Sequence, residues 1–207
     1  MCMESDKSYG SFKKNDLPYL EEHPIKPMNV YEISKACSGL VANAYSKNYG
    51  IPVFTIRAAN LYGPGDTNLS RIIPGSILRI LNGGSPVLYA GVASYVREFL
   101  YIEDASQAIV KLMEKIDISK SNVFNIGSNS VHRIDEIMDI IVGKFPSKIK
   151  VKIENKDPLY KEIEEQYLDY SKLMKIMPEY SPRSILEGLD PTIKWYTTHF
   201  NSMPIPS

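Results

Sequence analysis

Cysteine is nearly absent from this chain: Cys2 and Cys37 are the only two in 207 residues. They have neither metal-ligand nor redox spacing, which excludes a disulfide framework and a cysteine-based metal site. The three histidines, His23, His132 and His199, are scattered, and Asp66, Glu103 and Asp104 form no ligand pattern, so no metal is expected. An excess of charge is also missing. The 24 basic residues balance the 24 acidic ones, so there is no electrostatic footprint for nucleic acid. No apolar run approaches the roughly 20 residues that span a bilayer, and no secretory signal is legible. A reduced, cytoplasmic setting without membrane contact is the expectation. The last absence concerns glycine. Gly63-Pro64-Gly65 and Gly83-Gly84 mark turns, but no Gly-x-x-Gly-x-x-Gly loop joins a strand to a helix. Such a loop lets backbone amides approach a pyrophosphate at a helix N-terminus. Without it, the sequence has no dinucleotide phosphate cradle of its own.

What is present reads as an ordinary globular chain, with 43% hydrophobic and 23% charged residues, so a packed core is expected. Strand and helix signals alternate. A short strand ends near Glu4, and a polar loop runs to about Pro27. A helix then carries Tyr31, and a strand covers Val53 to Ala58. A helix over Ile72 to Leu81 stops at Asn82-Gly83-Gly84. Strands near Pro86 to Ala90 and Arg97 to Ile102 precede a helix from Ala105 to Ile116. A strand at Asn122 to Ile126, a helix from Ile134 to Phe145 and a half-buried strand at Ile149 to Ile153 follow. The polar stretch Glu154 to Glu165 reads as a flap, and a last helix spans Arg183 to His199. This alternation predicts an α/β architecture with a parallel sheet.

Tyr31 and Lys35 are four residues apart, so on a helix they share a face. An ammonium beside a phenol favours the phenolate, and a phenol so tuned can take a proton from a hydroxyl group. The spacing by itself says little, since Tyr9 and Lys13 repeat it, but Gly10 argues against a helix there. Around Tyr31 the context is stronger. Pro24 and Pro27 break the chain, Asn29 with Glu32 three residues on forms a capping box, and Gly50 is placed to stop the helix. Upstream lies Ser5-Asp6-Lys7-Ser8-Tyr9-Gly10, a hydroxyl-carboxylate-amine run.

These segments resemble the extended short-chain dehydrogenase/reductases, the NAD-dependent epimerases and dehydratases that act on nucleotide sugars. Val53 to Gly65 resembles the strand and Arg-x-x-Asn-x-Tyr-Gly-Pro turn of that family. Arg71-Ile72-Ile73-Pro74 is similar to the start of the helix over the nucleotide. Arg97-Glu98-Phe99-Leu100-Tyr101-Ile102-Glu103-Asp104 resembles its Arg-Asp-Phe-x-Tyr-Val-x-Asp segment, with Glu98 in place of aspartate. Phe124 to Ser128, Glu187-Gly188-Leu189 and Thr192 to Tyr196 also fit. The resemblance implies the C-terminal part of a Rossmann-type parallel sheet domain plus a smaller α/β substrate domain. Residues 1–64 with about 103–127 would form the first, and residues 65–102 with 128–207 the second. It also implies a longer enzyme of which the dinucleotide-loop part is missing here.

The resemblance further implies NAD as cofactor and a nucleotide sugar as substrate. Ser5 would steady the reacting hydroxyl, Tyr31 would remove its proton, and Lys35 would lower the tyrosine pKa and hold the nicotinamide ribose. Asn60, Arg71 and Arg97 would bind the substrate, the arginines through its diphosphate. Asn125 and Gly127 would shape a strand end. Asp6 and Lys7 point to a 4,6-dehydratase, as acid toward the C6 hydroxyl and base toward the C5 proton. Two adjacent groups divide such work when their environments push their pKa values apart. The Ser-Asp-Lys-x-Tyr run, Arg71 to Pro74 and Tyr167 to Lys172 are most similar to the CDP-glucose 4,6-dehydratase branch, although Glu4 stands where a small hydroxyl residue is usual. A 4-epimerase is the neighbouring alternative. A non-catalytic remnant or split-gene subunit that binds nucleotide sugar or a partner chain is another. Expected partners are a second copy or a chain supplying the missing half, and alone this chain is expected to bind NAD poorly and turn over little.

Overall fold

The computed structural model describes residues 1–115, 122–146, 148–155 and 162–199. Strand β1 (Cys2–Ser5) passes into a 3-10 turn (Asp6–Tyr9), and a loop leads to helix α1 (Val30–Tyr49). Next come β2 (Phe54–Ala58), β3 (Asn60–Tyr62), α2 (Ile72–Leu81), β4 (Val87–Tyr89), β5 (Val96–Tyr101) and α3 (Ile102–Lys115). The second half contains β6 (Asn122–Ile126), β7 (Val131–Arg133), α4 (Ile134–Gly143), β8 (Lys152–Glu154), β9 (Glu165–Gln166), α5 (Ser171–Ile176) and α6 (Ile185–His199).

Strands β1, β2 and β6 form a parallel sheet in that order, with Ser5 opposite Ala58 and Ala58 opposite Ile126. A second sheet centres on β5, which pairs in parallel with β3 and β9 and antiparallel with β7. Strands β4 and β8 make a separate parallel pair. Parallel strands require crossovers, and α1 supplies the one between β1 and β2.

The core has two packed clusters. Tyr9, Ile56, Leu100, Leu112, Phe124 and Ile126 belong to the first, joined by Leu168, Leu173 and Met177 from the C-terminal part of the chain. Tyr62, Ile73, Ile77, Phe99, Tyr101, Ile137, Leu189 and Tyr196 belong to the second. β5 feeds both because successive side chains of a strand point to opposite faces: Leu100 goes to one cluster, Phe99 and Tyr101 to the other.

Helix α1 starts as the sequence predicts. Asn29 Oδ1 accepts from the Glu32 amide at 3.0 Å, Glu32 Oε2 accepts from the Asn29 amide at 3.4 Å, and Gly50 ends the helix in a left-handed conformation. Only Glu32, Ala36 and Gly39 of this helix are buried, while Val30, Ile33, Leu40, Val41, Tyr45 and Tyr49 face outward.

Several boundaries differ from the sequence reading. The helix expected from Ala105 begins at Ile102, and the one expected to reach Phe145 ends at Gly143. The strand expected over Ile149 to Ile153 is ordered as β8 from Lys152, and the last helix begins at Ile185 instead of Arg183. Strands β3, β7 and β9 and helix α5 were not anticipated. At two to six residues each, they are too short to show a period and exist through their partners. Of the expected flap, residues 156–161 lie outside the described residues, as does Ile116.

Candidate active site

The end of β1, helix α1 and the second sheet deliver the chemistry-bearing residues to one cavity. Ser5 closes β1 and at once caps the 3-10 turn, its Oγ accepting from the Lys7 amide at 3.3 Å. That tight turn brings Ser5 and Lys7 to one cavity and turns Asp6 inward from a single strand end. Ser5 and Lys7 line a cavity of about 510 Å³, together with Tyr31 and Lys35 from α1, Asn60 from β3, Arg71 ahead of α2, and Arg97 from β5. Clefts outside the carboxyl ends of parallel strands are the usual ligand sites of such sheets. Of the eight residues expected from sequence, Asp6 alone is absent from the lining.

Asp6 is instead 1% exposed, behind Ser5. Its Oδ1 accepts from Ser5 Oγ at 2.9 Å, and its Oδ2 has no hydrogen-bond partner among the described residues. Burial raises its pKa, with neighbouring Lys7 the main opposing influence. Burial acts on Lys7 in the other direction and lowers its pKa, against the carboxylates of Asp6, Glu162 and Glu32. The two proton affinities are thus displaced toward each other, the opposite of the separation expected from sequence, because burial disfavours the charged form of both groups. Lys7 Nζ points to Gln166 Oε1 at 3.5 Å. Gln166 is fully buried, and no sequence signal marked it.

Tyr31 is half exposed at 48%, and Lys35 Nζ lies 5.8 Å from its ring centroid, over one face. Tyr9, the other tyrosine with lysine spacing, is fully buried. Its hydroxyl donates to Asn125 Oδ1 at 2.7 Å, and burial pushes its pKa up to about 12. Tyr9 is therefore a structural tyrosine, as Gly10 suggested.

The expected substrate ligands are placed at the cavity with partners of their own. Asn60 Nδ2 donates to the Glu98 carbonyl at 2.9 Å. Arg71 pairs with Asp66 at 3.0 Å, beside the N-terminus of α2, which has no side-chain cap. Arg97 Nη1 donates to the carbonyls of Val96 (2.9 Å) and Glu164 (3.2 Å), and Nη2 lies 3.4 Å from Glu162 Oε2.

Asn125 lies under the site as a hub. Besides accepting from Tyr9, its Nδ2 donates to the carbonyls of Tyr19 and Asp169, both at 2.9 Å. Glu98, the substitution noticed in the sequence, is 1% exposed and clamps three backbone amides: Ser128 (2.5 Å), Asn129 (3.2 Å) and Leu168 (2.9 Å). Gly127 leaves room for it, since a Cβ there would come within 2.5 Å of Glu98 Oε1. Among the described residues no group of three or more His, Cys, Asp or Glu side chains could hold a metal, and no helix is long and apolar enough to cross a membrane.

Known proteins resemble this chain in sequence and in fold. A trifunctional UDP-glucose 4,6-dehydratase/UDP-4-keto-6-deoxy-D-glucose 3,5-epimerase/UDP-4-keto-L-rhamnose-reductase of Arabidopsis thaliana is 34% identical over 184 residues, covering 86% of this chain and 26% of that protein. The crystal structure of dTDP-glucose 4,6-dehydratase from Bacillus anthracis in complex with NAD superposes with a TM-score of 0.84 at 28% identity, over 96% of this chain and 61% of that one. A UDP-N-acetylglucosamine 4-epimerase from Methanobrevibacter ruminantium, in complex with UDP-N-acetylmuramic acid, superposes with a TM-score of 0.83 at 28% identity, covering 96% and 62%. The chain therefore spans less than two thirds of the relatives it matches. The NAD dependent epimerase/dehydratase family model matches residues 1–127, which include Ser5, Lys7, Tyr31, Lys35, Asn60 and Arg97, and the chain belongs to that family.

Proposed function

We propose that this chain carries the catalytic and substrate-binding residues of an NAD-dependent nucleotide-sugar 4,6-dehydratase. The observation that carries the reading is the Ser5-Asp6-Lys7 turn. It sets a hydroxyl and an amine on the cavity that Tyr31 and Lys35 line, with a buried carboxyl directly behind. Tyr31 and Lys35 fit the ribose of a nicotinamide cofactor, because a phenol and an ammonium stand together at the cavity wall. NAD, when bound, supplies the acceptor and donor of hydride.

The chain's own residues handle the protons. Tyr31 takes the proton from the sugar 4-hydroxyl while Ser5 donates a hydrogen bond to the oxygen. A 4-keto group makes the C5 proton acidic, and Lys7, whose neutral form is favoured by burial, removes it. Asp6, whose protonated form is favoured by burial, supplies a proton to the departing C6 hydroxyl. Because Asp6 stands behind Ser5, 2.9 Å away, the relay needs that hydrogen bond reversed: protonated Asp6 donates to Ser5 Oγ, and the Ser5 proton passes to the departing hydroxyl. Arg97 and the open N-terminus of α2 provide for the diphosphate of the substrate.

The burial of Asp6 also favours a second reading. If no proton reaches C6, the same Tyr31 and Ser5 chemistry gives a 4-epimerase. One experiment separates the two. Protein with NAD bound, supplied together with any further chain needed to hold the cofactor, is incubated in deuterium oxide with UDP-, dTDP- or CDP-glucose, and the products are followed by NMR. A 4-keto-6-deoxy sugar with deuterium at C5 is the expected result. A C4 epimer without label at C5 replaces dehydratase by epimerase, and no conversion by NAD-loaded protein overturns both.

A further inference from the structure

Arg97 is not free in the cavity. Its side chain is 7% exposed, and Glu162, itself 34% exposed and lining the same cavity, faces its Nη2 at 3.4 Å. The negative charge of Glu162 also favours the protonated forms of both Arg97 and Lys7. One carboxylate thus serves two cations at the place proposed for a diphosphate. Its contact with Arg97 is a single long one. The guanidinium is held independently from the other side, where Nη1 donates to the Val96 and Glu164 carbonyls. Removing Glu162 therefore leaves Arg97 in position.

We propose that Glu162 is an internal stand-in for the substrate diphosphate. It neutralises Arg97 in the ligand-free protein and is displaced when a nucleoside diphosphate group enters. This rests on the reading of the cavity as a nucleotide-sugar site. A carboxylate and a diphosphate cannot share one guanidinium without repulsion. The diphosphate has more charge and more acceptor oxygens, so it forms the stronger, bidentate contact. Glu162 then sets the affinity threshold, and only a ligand with enough negative charge to evict it occupies the Arg97 end of the cavity.

Isothermal titration of UDP, CDP and dTDP into this chain, into Glu162→Gln and into Arg97→Gln with and without Glu162→Gln, tests the idea. Thermal melts of each variant serve as the folding control. Glu162→Gln is expected to bind its best nucleoside diphosphate about tenfold more tightly at low salt, with the gain shrinking as salt rises. In the Arg97→Gln background most of that gain is expected to vanish, leaving only the part that comes from Lys7, and an undiminished gain there overturns the stand-in role at Arg97. Equal or weaker binding by a folded Glu162→Gln overturns the stand-in role and leaves the cavity reading intact. No binding of any of the three by folded wild type and folded Glu162→Gln overturns the cavity reading, and the stand-in role with it.

Discussion

Glu4 and Arg57 form an ion pair inside the first sheet, Oε2 to Nε at 2.7 Å, with side chains 2% and 6% exposed. Helix α1 accommodates it only at Gly39, where a Cβ would fall 1.3 Å from Glu4 Oε1. Arg57 also lies over the ring of Tyr9, 4.6 Å from its centroid, so the pair extends to the Asn125 hub. Breaking a buried pair leaves an uncompensated charge, at a cost of about 3–5 kcal/mol. Glu4→Ser, which restores the small hydroxyl residue expected from the family, is therefore destabilising here by that amount. Urea unfolding checks it, and a Glu4→Ser variant as stable as the parent shows that the pair contributes nothing.

Gly39→Ala tests the same relationship from the helix side. Alanine is ordinarily the better helix former by about 1 kcal/mol, so an unhindered site would gain stability. Here the methyl group displaces the Glu4 carboxylate, and a net loss of stability is expected.

Glu98 holds Ser128, Asn129 and Leu168 together by their amides. Glu98→Asp, the residue of the family pattern, is one methylene short of spanning them. Bonds to a charged acceptor contribute about 1.5–3 kcal/mol each, so the loss of one sets the expected destabilisation. The measurement is a denaturant midpoint at neutral pH, and faster amide exchange at Leu168 is the local signature.

The buried carboxyls make stability depend on pH in a defined direction. Burial raises the pKa of both Asp6 and Glu98 in the folded state. Between the ordinary carboxylate range and those raised values, the native protein keeps protons that the unfolded chain has released. Stability from these two groups is therefore greatest at low pH and falls as pH rises through that window. Lys7 works in the other sense. Its folded pKa is lowered, so the unfolded chain holds the extra proton, and stability from this group rises with pH up to the ordinary lysine range. In Asp6→Asn the falling limb is expected to flatten, as read from unfolding free energies at stepped pH. An unchanged pH profile in that variant removes Asp6 from the account.

Tyr31→Phe separates chemistry from folding. The ring is half exposed and no hydrogen bond of its hydroxyl supports the fold among the described residues, so the melting temperature is expected to stay within a degree or two of the parent. Turnover by NAD-loaded protein is expected to fall by about 10²–10⁴-fold, the usual contribution of a general base. A variant with full turnover assigns the proton to another group.

Local patterning made α1 and its capping box, helix α2, strand β6 and the α/β class legible in the sequence, because caps, hydrophobic periods and strand-forming runs are written within a few residues of one another, even where the pairing partner, as β2 for β6, is distant. The resemblance to the family named Ser5, Lys7, Tyr31 and Lys35 from the sequence, and the fold gathers all four at one cavity. What tertiary structure alone decided are the partners drawn from far along the chain. Whether Asp6 faces the cavity depends on the turn of the backbone after Ser5, and whether Arg97 is free depends on Glu162, which β9 brings beside β5. Burial then assigned the proton affinities. The desolvation that raises Asp6 and lowers Lys7 comes from the packed surroundings of the two side chains and leaves no trace in a run of adjacent letters.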